Sequence, residues 1–269
     1  MDRKKLNFVQ SLGRGLSVLQ AFTAERPTLN LSEIARITGM NTTATQRFTD
    51  TLLQLGFLHR NRHREFMLGP KVLNLGFAFL NGSQLRKLAL TYIAEFSARY
   101  SRTVNLAILD GDAVVFLSRH EAQRFLKYDL QAGSRLPSHC TATGKVLLAA
   151  LPDQELRNTL DGMKMERLTR FTITEPIALW ADLMETRKRG YSVCDREMSL
   201  ALYSLAVPVL NQEHHVVAAV NLSLSADETQ SNQLKATEQL TSLGRTLSGA
   251  MGYEGAYPLF PALNFEEES

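Results

Sequence analysis

Three short helical stripes, a glycine turn between the second and third, and an arginine-rich hairpin directly after them fill the first 70 residues, and few folds accept that order. Apolar Leu12, Leu16, Leu19 and Phe22 recur on one face of a first helix, with Ser11 at its N-cap. A second, shorter helix starts near Leu31 and turns Ile34, Ala35 and Ile37 inward. It ends at Gly39, where a left-handed backbone costs nothing. After Gly39-Met40-Asn41, a third helix opens at Asn41 or Thr42. Thr45, Phe48, Leu52 and Leu55 form its buried stripe, and Thr42, Thr43, Gln46, Arg47 and Asp50 its polar face. Residues 57–60 and 65–68 then read as two strands around an Asn61-Arg62-His63-Arg64 turn.

Charge separates this head from the rest. Through Leu80 the chain carries 11 basic and 5 acidic residues; beyond it, 19 basic and 22 acidic. Positive charge is concentrated where phosphates could be met. On the third helix, Gln46 can pair with adenine, Thr42 and Thr43 can give a hydroxyl to phosphate or a methyl to thymine, and Arg47 can reach phosphate or guanine. A solvated helix face would carry the same residue types. The nucleic-acid reading rests on position: third helix, after a glycine turn, before a hairpin that brings Arg60, Arg62 and Arg64 to a DNA backbone or minor groove.

At 269 residues and 44% hydrophobic content, the chain has material for two cores. No apolar run reaches the ~20 residues of a membrane span, and the polar start lacks the apolar stretch of a secretory signal, so a cytoplasmic protein with no membrane partner is expected. Cys140 and Cys194 alone support neither a disulfide framework nor a zinc site. No cofactor or metal is expected. Residues 71–80 read as a connecting helix broken at Asn81-Gly82-Ser83, and a long helix follows through Leu85, Leu88, Tyr92, Ile93, Phe96 and Tyr100. Strands are predicted at 103–109, 113–117, 125–130, 191–195, 201–210 and 216–225. Helices are predicted at 141–150, 153–160, 175–189 and 226–249. The order implies an α+β domain with an antiparallel sheet covered mainly on one side.

The segment from Gly133 to Ala149 offers His139, the Cys140 thiol, the hydroxyls of Thr141 and Thr143, and backbone donors at a helix start, a natural seat for a small carboxylate. Arg119, ending a strand, is the candidate charge partner, since a guanidinium grips a carboxylate with two parallel bonds; a surface arginine is the alternative. Gly144-Lys145 is not a phosphate loop, because His139 stands where the earlier glycine is needed and Val146 where Ser or Thr is. An enzyme using Cys140 or a serine as nucleophile beside an accessory nucleic-acid domain is the rival reading. Adjacent His139 and Cys140 do not by themselves make a catalytic pair, however, and no G-x-S-x-G elbow is present. A purely architectural DNA binder is a third.

Phe8-Val9-Gln10-Ser11-Leu12, Arg14-Gly15-Leu16, Leu31-Ser32-Glu33-Ile34-Ala35, Leu55-Gly56-Phe57 and Leu68-Gly69-Pro70-Lys71 resemble the winged helix-turn-helix of the IclR-type transcriptional regulators. The opening is similar to the branch that controls aromatic-acid catabolism through the β-ketoadipate route. The likeness extends to about Met251 and includes Gly190-Tyr191-Ser192-Val193-Cys194-Asp195 and Ser204-Leu205-Ala206-Val207-Pro208. One departure is that Asn41, Thr42 and Thr43 stand where that branch usually has basic residues. The resemblance implies a winged helix-turn-helix over 1–69, a linker helix over 70–83, a GAF-like effector domain over 84–252 and a tail over 253–269. It implies a cavity faced by Ala142, Thr143, Cys194 and Ser204. It also implies a non-enzymatic, ligand-responsive regulator that binds operator DNA as a homodimer, or a dimer of dimers, and senses a small aromatic or dicarboxylic acid.

Overall fold

A computed structural model describes residues 8–122, 130–258 and 260. The chain divides into two compact units, Met1–Gly82 and Ser83–Ser269. In the first, α1 (Gln10–Gln20), β1 (Thr28–Leu29), α2 (Leu31–Thr38), α3 (Thr42–Gln54), β2 (Leu58–Arg60), β3 (Phe66–Leu68) and α4 (Lys71–Gly82) follow in order. Asparagines start both inner helices. The Asn30 side chain accepts the Glu33 N–H at 3.0 Å while the Glu33 carboxylate accepts the Asn30 N–H at 2.8 Å, a reciprocal cap. Asn41 accepts the Ala44 N–H at 2.8 Å to open α3. Between them Gly39 adopts φ 69°, the left-handed turn expected of it. The core gathers Val18, Phe22, Ile34, Leu52, Leu58 and Phe66.

Four expectations for this unit are corrected. Ser11 lies inside α1, whose cap position is Val9 with no side-chain bond. Leu12 and Leu16 are exposed, because the small core covers only the edge of α1 that carries Val18 and the residues just past its end, Ala21 and Phe22. Leu55 is exposed too: it is the C-cap of α3, the chain turns away at Gly56 (φ 76°), and Thr49 takes the buried place. The hairpin gains a third strand unforeseen in the sequence, in the order β1-β3-β2. Asn81 and Gly82 continue α4, which buries none of its residues.

The second unit contains α5 (Gln84–Tyr100), β4 (Thr103–Asp110), β5 (Ala113–His120), β6 (Arg135–Pro137), α6 (Ala142–Ala149), α7 (Asp153–Gly162), α8 (Pro176–Arg189), β7 (Ser192–Asp195), β8 (Leu202–Leu210), β9 (Val216–Ser225) and α9 (Gln230–Ala250). Six antiparallel strands lie in the order β6-β5-β4-β9-β8-β7. The strand expected at 125–130 falls, Leu130 apart, outside the described residues; Leu130 is not in a strand.

The sheet is covered on both sides, which corrects the expectation of one. Ala107, Phe116, Ala206 and Ala219 pack with Ala142, Val146 and Leu147 of α6. The next residue along β8, Val207, faces the other way: its Cγ2 would stand 2.6 Å from a Cβ added to Gly244 of α9. Double cover accounts for the unbroken burial of residues 204–210 and 218–224 in β8 and β9, where a half-solvated sheet would alternate. One irregularity decides what faces α6. Along β4 and β5, Asn105 pairs with Arg119 and Leu106 with Ser118, but Ala107 pairs with Phe116, leaving Leu117 as an extra residue in a β-bulge. Arg119 and Phe116 therefore share one face although they stand three positions apart.

Candidate functional site

In the first unit, Thr42, Thr43 and Arg47 stand exposed on α3. Gln46 is half-buried, and its Nε2 donates to Asp50 Oδ1 at 2.6 Å, so that carboxylate competes for the amide a base edge would use. The Lys71 ammonium donates to the Leu55 carbonyl at 2.8 Å, a cation at the C-terminus of α3. The hairpin turn is organised by Asn61, which the sequence marks only as its first residue. Asn61 Oδ1 accepts from the His63 and Glu65 N–H groups at 2.9 and 3.0 Å, and its Nδ2 donates to Glu65 Oε2 at 2.8 Å. Arg60, Arg62 and Arg64 are all exposed there. Arg60 differs from the other two in lying over the Phe66 ring, 4.6 Å from its centre.

In the second unit a cavity opens where the start of α6 faces β4, β5, β8 and β9. Of the candidate residues, Arg119, Thr141, Ala142, Thr143 and Ser204 line it. His139 and Cys194 do not. The His139 ring Nε2 is 3.0 Å from the Glu166 carbonyl, with the residue wholly buried. Cys194 points into the sheet–α6 core, where its thiol donates to the Cys140 carbonyl at 3.0 Å. Thr141 caps α6, its Oγ1 accepting the Gly144 N–H at 3.2 Å and donating to the Pro137 carbonyl at 2.9 Å.

Among the described residues Arg119 is the only charged side chain in the lining, and it is 9% exposed. Its Nη1 donates to Asn105 Oδ1 at 2.9 Å, and Asn105 Nδ2 passes the chain on to Asn221 Oδ1 at 3.1 Å. Its Nη2 meets the Glu121 carboxylate at 2.5 Å. Its Nε is buried without a hydrogen-bond partner. Asn105 and Asn221 were missed in the sequence, although an amide inside an otherwise apolar strand was their signal. They pair directly across β4 and β9. Met198 and Leu130 complete an apolar side. The space between these residues is about 40 Å³, room for water but not for an aromatic ring unless flexible side chains such as Met198 shift.

Behind the cavity, Lys145 is buried with its ammonium on Asp182, at 2.9 Å, and on Glu197. Burial alone would lower its affinity for a proton, but Cys194, Glu197 and Asp182 outweigh that and hold it above the usual lysine range. The Thr169 and Thr172 hydroxyls donate to the Arg196 and Glu197 carbonyls at 2.6 and 2.7 Å, fixing the turn that leads to Met198. Both thiols are the reverse of activated nucleophiles. Burial, then the Glu197 carboxylate, pushes Cys140 up to about 12, and burial drives Cys194 well above its ordinary value. A thiol reagent at pH 8 should therefore leave both cysteines of the native protein unmodified and titrate two per chain after unfolding. Fast labelling of either in the native state would contradict this burial.

Two family models cover the chain: the IclR helix-turn-helix domain over residues 11–62 and the C-terminal domain of the bacterial transcriptional regulator IclR over residues 77–249. The chain belongs to the IclR family. Among curated relatives, the Pca regulon regulatory protein of Pseudomonas putida is 34% identical over 85% of this chain and 79% of its own length. The p-hydroxybenzoate hydroxylase transcriptional activator of Acinetobacter baylyi is 32% identical over 85% of this chain and 86% of its own. Among solved structures, an IclR homologue from Microbacterium hydrocarbonoxydans, complexed with 4-hydroxybenzoate, superposes with a TM-score of 0.74 at 26% identity, covering 90% of this chain and 99% of the other. This IclR-family chain is a DNA-binding transcriptional regulator and not an enzyme, which removes the nucleophile reading. Among the described residues no helix is long and apolar enough to cross a membrane.

Proposed function

We propose that this regulator reads operator DNA as a homodimer through α3 and the arginine hairpin, and that a small aromatic or dicarboxylic acid entering the α6 cavity changes its affinity for that DNA. The observation that carries the effector half is the buried Arg119 guanidinium in a cavity otherwise lined by amides, hydroxyls and apolar groups, a setting suited to one carboxylate on a small apolar body. The 4-hydroxybenzoate in the Microbacterium homologue and the names of the two curated relatives favour an aromatic acid. The uncovered apolar residues of α4, Leu73, Leu75, Phe77 and Phe79, supply a surface that a second chain would bury. The effector acts only as far as it binds the two arrangements of the dimer unequally.

A thermal-shift screen against aromatic and dicarboxylic acids tests the effector half. An acid at a hundred times its dissociation constant adds about 2.7 kcal/mol of stability, and silence across the panel would favour an architectural DNA binder. For the DNA half, Arg47→Ala is expected to weaken binding to promoter DNA by roughly 1–3 kcal/mol. It should also flatten the salt dependence by about one counterion if Arg47 contacts phosphate. Gel shifts in which both Arg47→Ala and Gln46→Ala bind undiminished would take α3 out of this role.

A further inference from the structure

We infer that Glu121 is a built-in stand-in for the effector's carboxylate, so that an acid enters by exchanging with Glu121 on Arg119; this rests on the effector reading above. The guanidinium is held on one side by the Asn105–Asn221 amide chain, which fixes its plane and leaves its other edge to a carboxylate. Glu121 Oε2 occupies that edge through Nη2, while the neighbouring Nε has no hydrogen-bond partner. A ligand carboxylate bridging Nη2 and Nε would make the two parallel bonds that Glu121 does not make, so exchange replaces one charge-assisted bond by two.

Position supports the same assignment. Arg119 borders two spaces at once, the α6 cavity and an outer groove formed with Arg86, Ser118, His120 and Glu121. The Glu121 side chain is 33% exposed, against 9% for Arg119, so the carboxylate sits toward solvent and the guanidinium toward the cavity. Displaced, Glu121 remains in a groove that Arg86 and His120 also line, and its charge is not stranded. The ion pair therefore guards the inner space against neutral molecules, which offer Arg119 nothing in return for Glu121, and admits acids.

Calorimetric titration of the full chain with 4-hydroxybenzoate and with neutral 4-hydroxybenzamide tests the exchange, using the wild type, Glu121→Gln, Arg119→Gln and the double variant. Removing the internal competitor should tighten 4-hydroxybenzoate binding roughly fivefold, the scale of a partly exposed ion pair. The amide should be indifferent to Glu121→Gln, and the gain should vanish in the Arg119→Gln background. A wild type that is silent while Glu121→Gln binds the acid also supports the exchange. Acid binding that is unchanged or weakened in Glu121→Gln overturns the exchange and leaves the effector reading standing. If neither the wild type nor any variant binds the acid, the exchange falls, and the effector reading falls with it only if the whole acid panel is also silent.

Discussion

Lys145→Met should unfold the effector unit at a much lower urea concentration than the wild type. The substitution keeps the bulk of the side chain but deletes the ammonium between Asp182 and Glu197, and Glu197 is 6% exposed. Removing one member of a buried ion cluster leaves the others desolvated without compensation, at a cost of about 3–5 kcal/mol. The only tryptophan, Trp180, lies on α8 two residues before Asp182, so its fluorescence reports this unit. The sign with pH is also fixed. Without Lys145 the stranded carboxylate has a raised folded-state affinity for protons, so the deficit should shrink as pH falls toward 5 and widen toward 8. Lys145→Met with Glu197→Gln should recover much of the loss. A single variant with the wild-type midpoint would mean that the ammonium does not hold the two acidic segments.

Gly144→Ala should be nearly as damaging, for a steric reason. A Cβ there would stand 2.2 Å from the Ser138 carbonyl oxygen and 2.3 Å from the Ser138 Cα, main-chain atoms that cannot rotate aside. Forcing this overlap is expected to cost about 3 kcal/mol and to displace the first turn of α6, which brings Thr141, Ala142 and Thr143 to the cavity. Acid binding should therefore weaken along with the Trp180 unfolding midpoint. Gly76→Ala in α4 is the control, since nothing lies within 4 Å of its added methyl. It should strengthen that helix by roughly 0.5–1 kcal/mol. Equal behaviour of the two variants would refute the close approach of α6 to Ser138.

These two glycines show what a linear reading can reach. Local chemistry was legible wherever the signal and its cause lie within a few residues: Gly39 ending α2, Asn41 opening α3, the hairpin around residues 61–64, and the apolar strands β4, β8 and β9. Partnerships were less so. Leu12 and Leu16 have helical spacing, but spacing cannot say whether the chain itself supplies something to cover them. The three-residue strand β6 has too few side chains to alternate and includes Pro137. His139 and Cys194 are reactive by type and buried by place, one held by the Glu166 carbonyl and the other by the Cys140 carbonyl. Asn105 and Asn221 became meaningful only when strand pairing set them side by side.

The extra residue at Leu117 has a consequence of its own. Had Leu117 been taken into strict alternation instead of into the bulge, the Ser118 hydroxyl would face α6 and the guanidinium would face away from it. The electrical character of that cavity is thus set by one irregularity of strand pairing as much as by the identity of its walls.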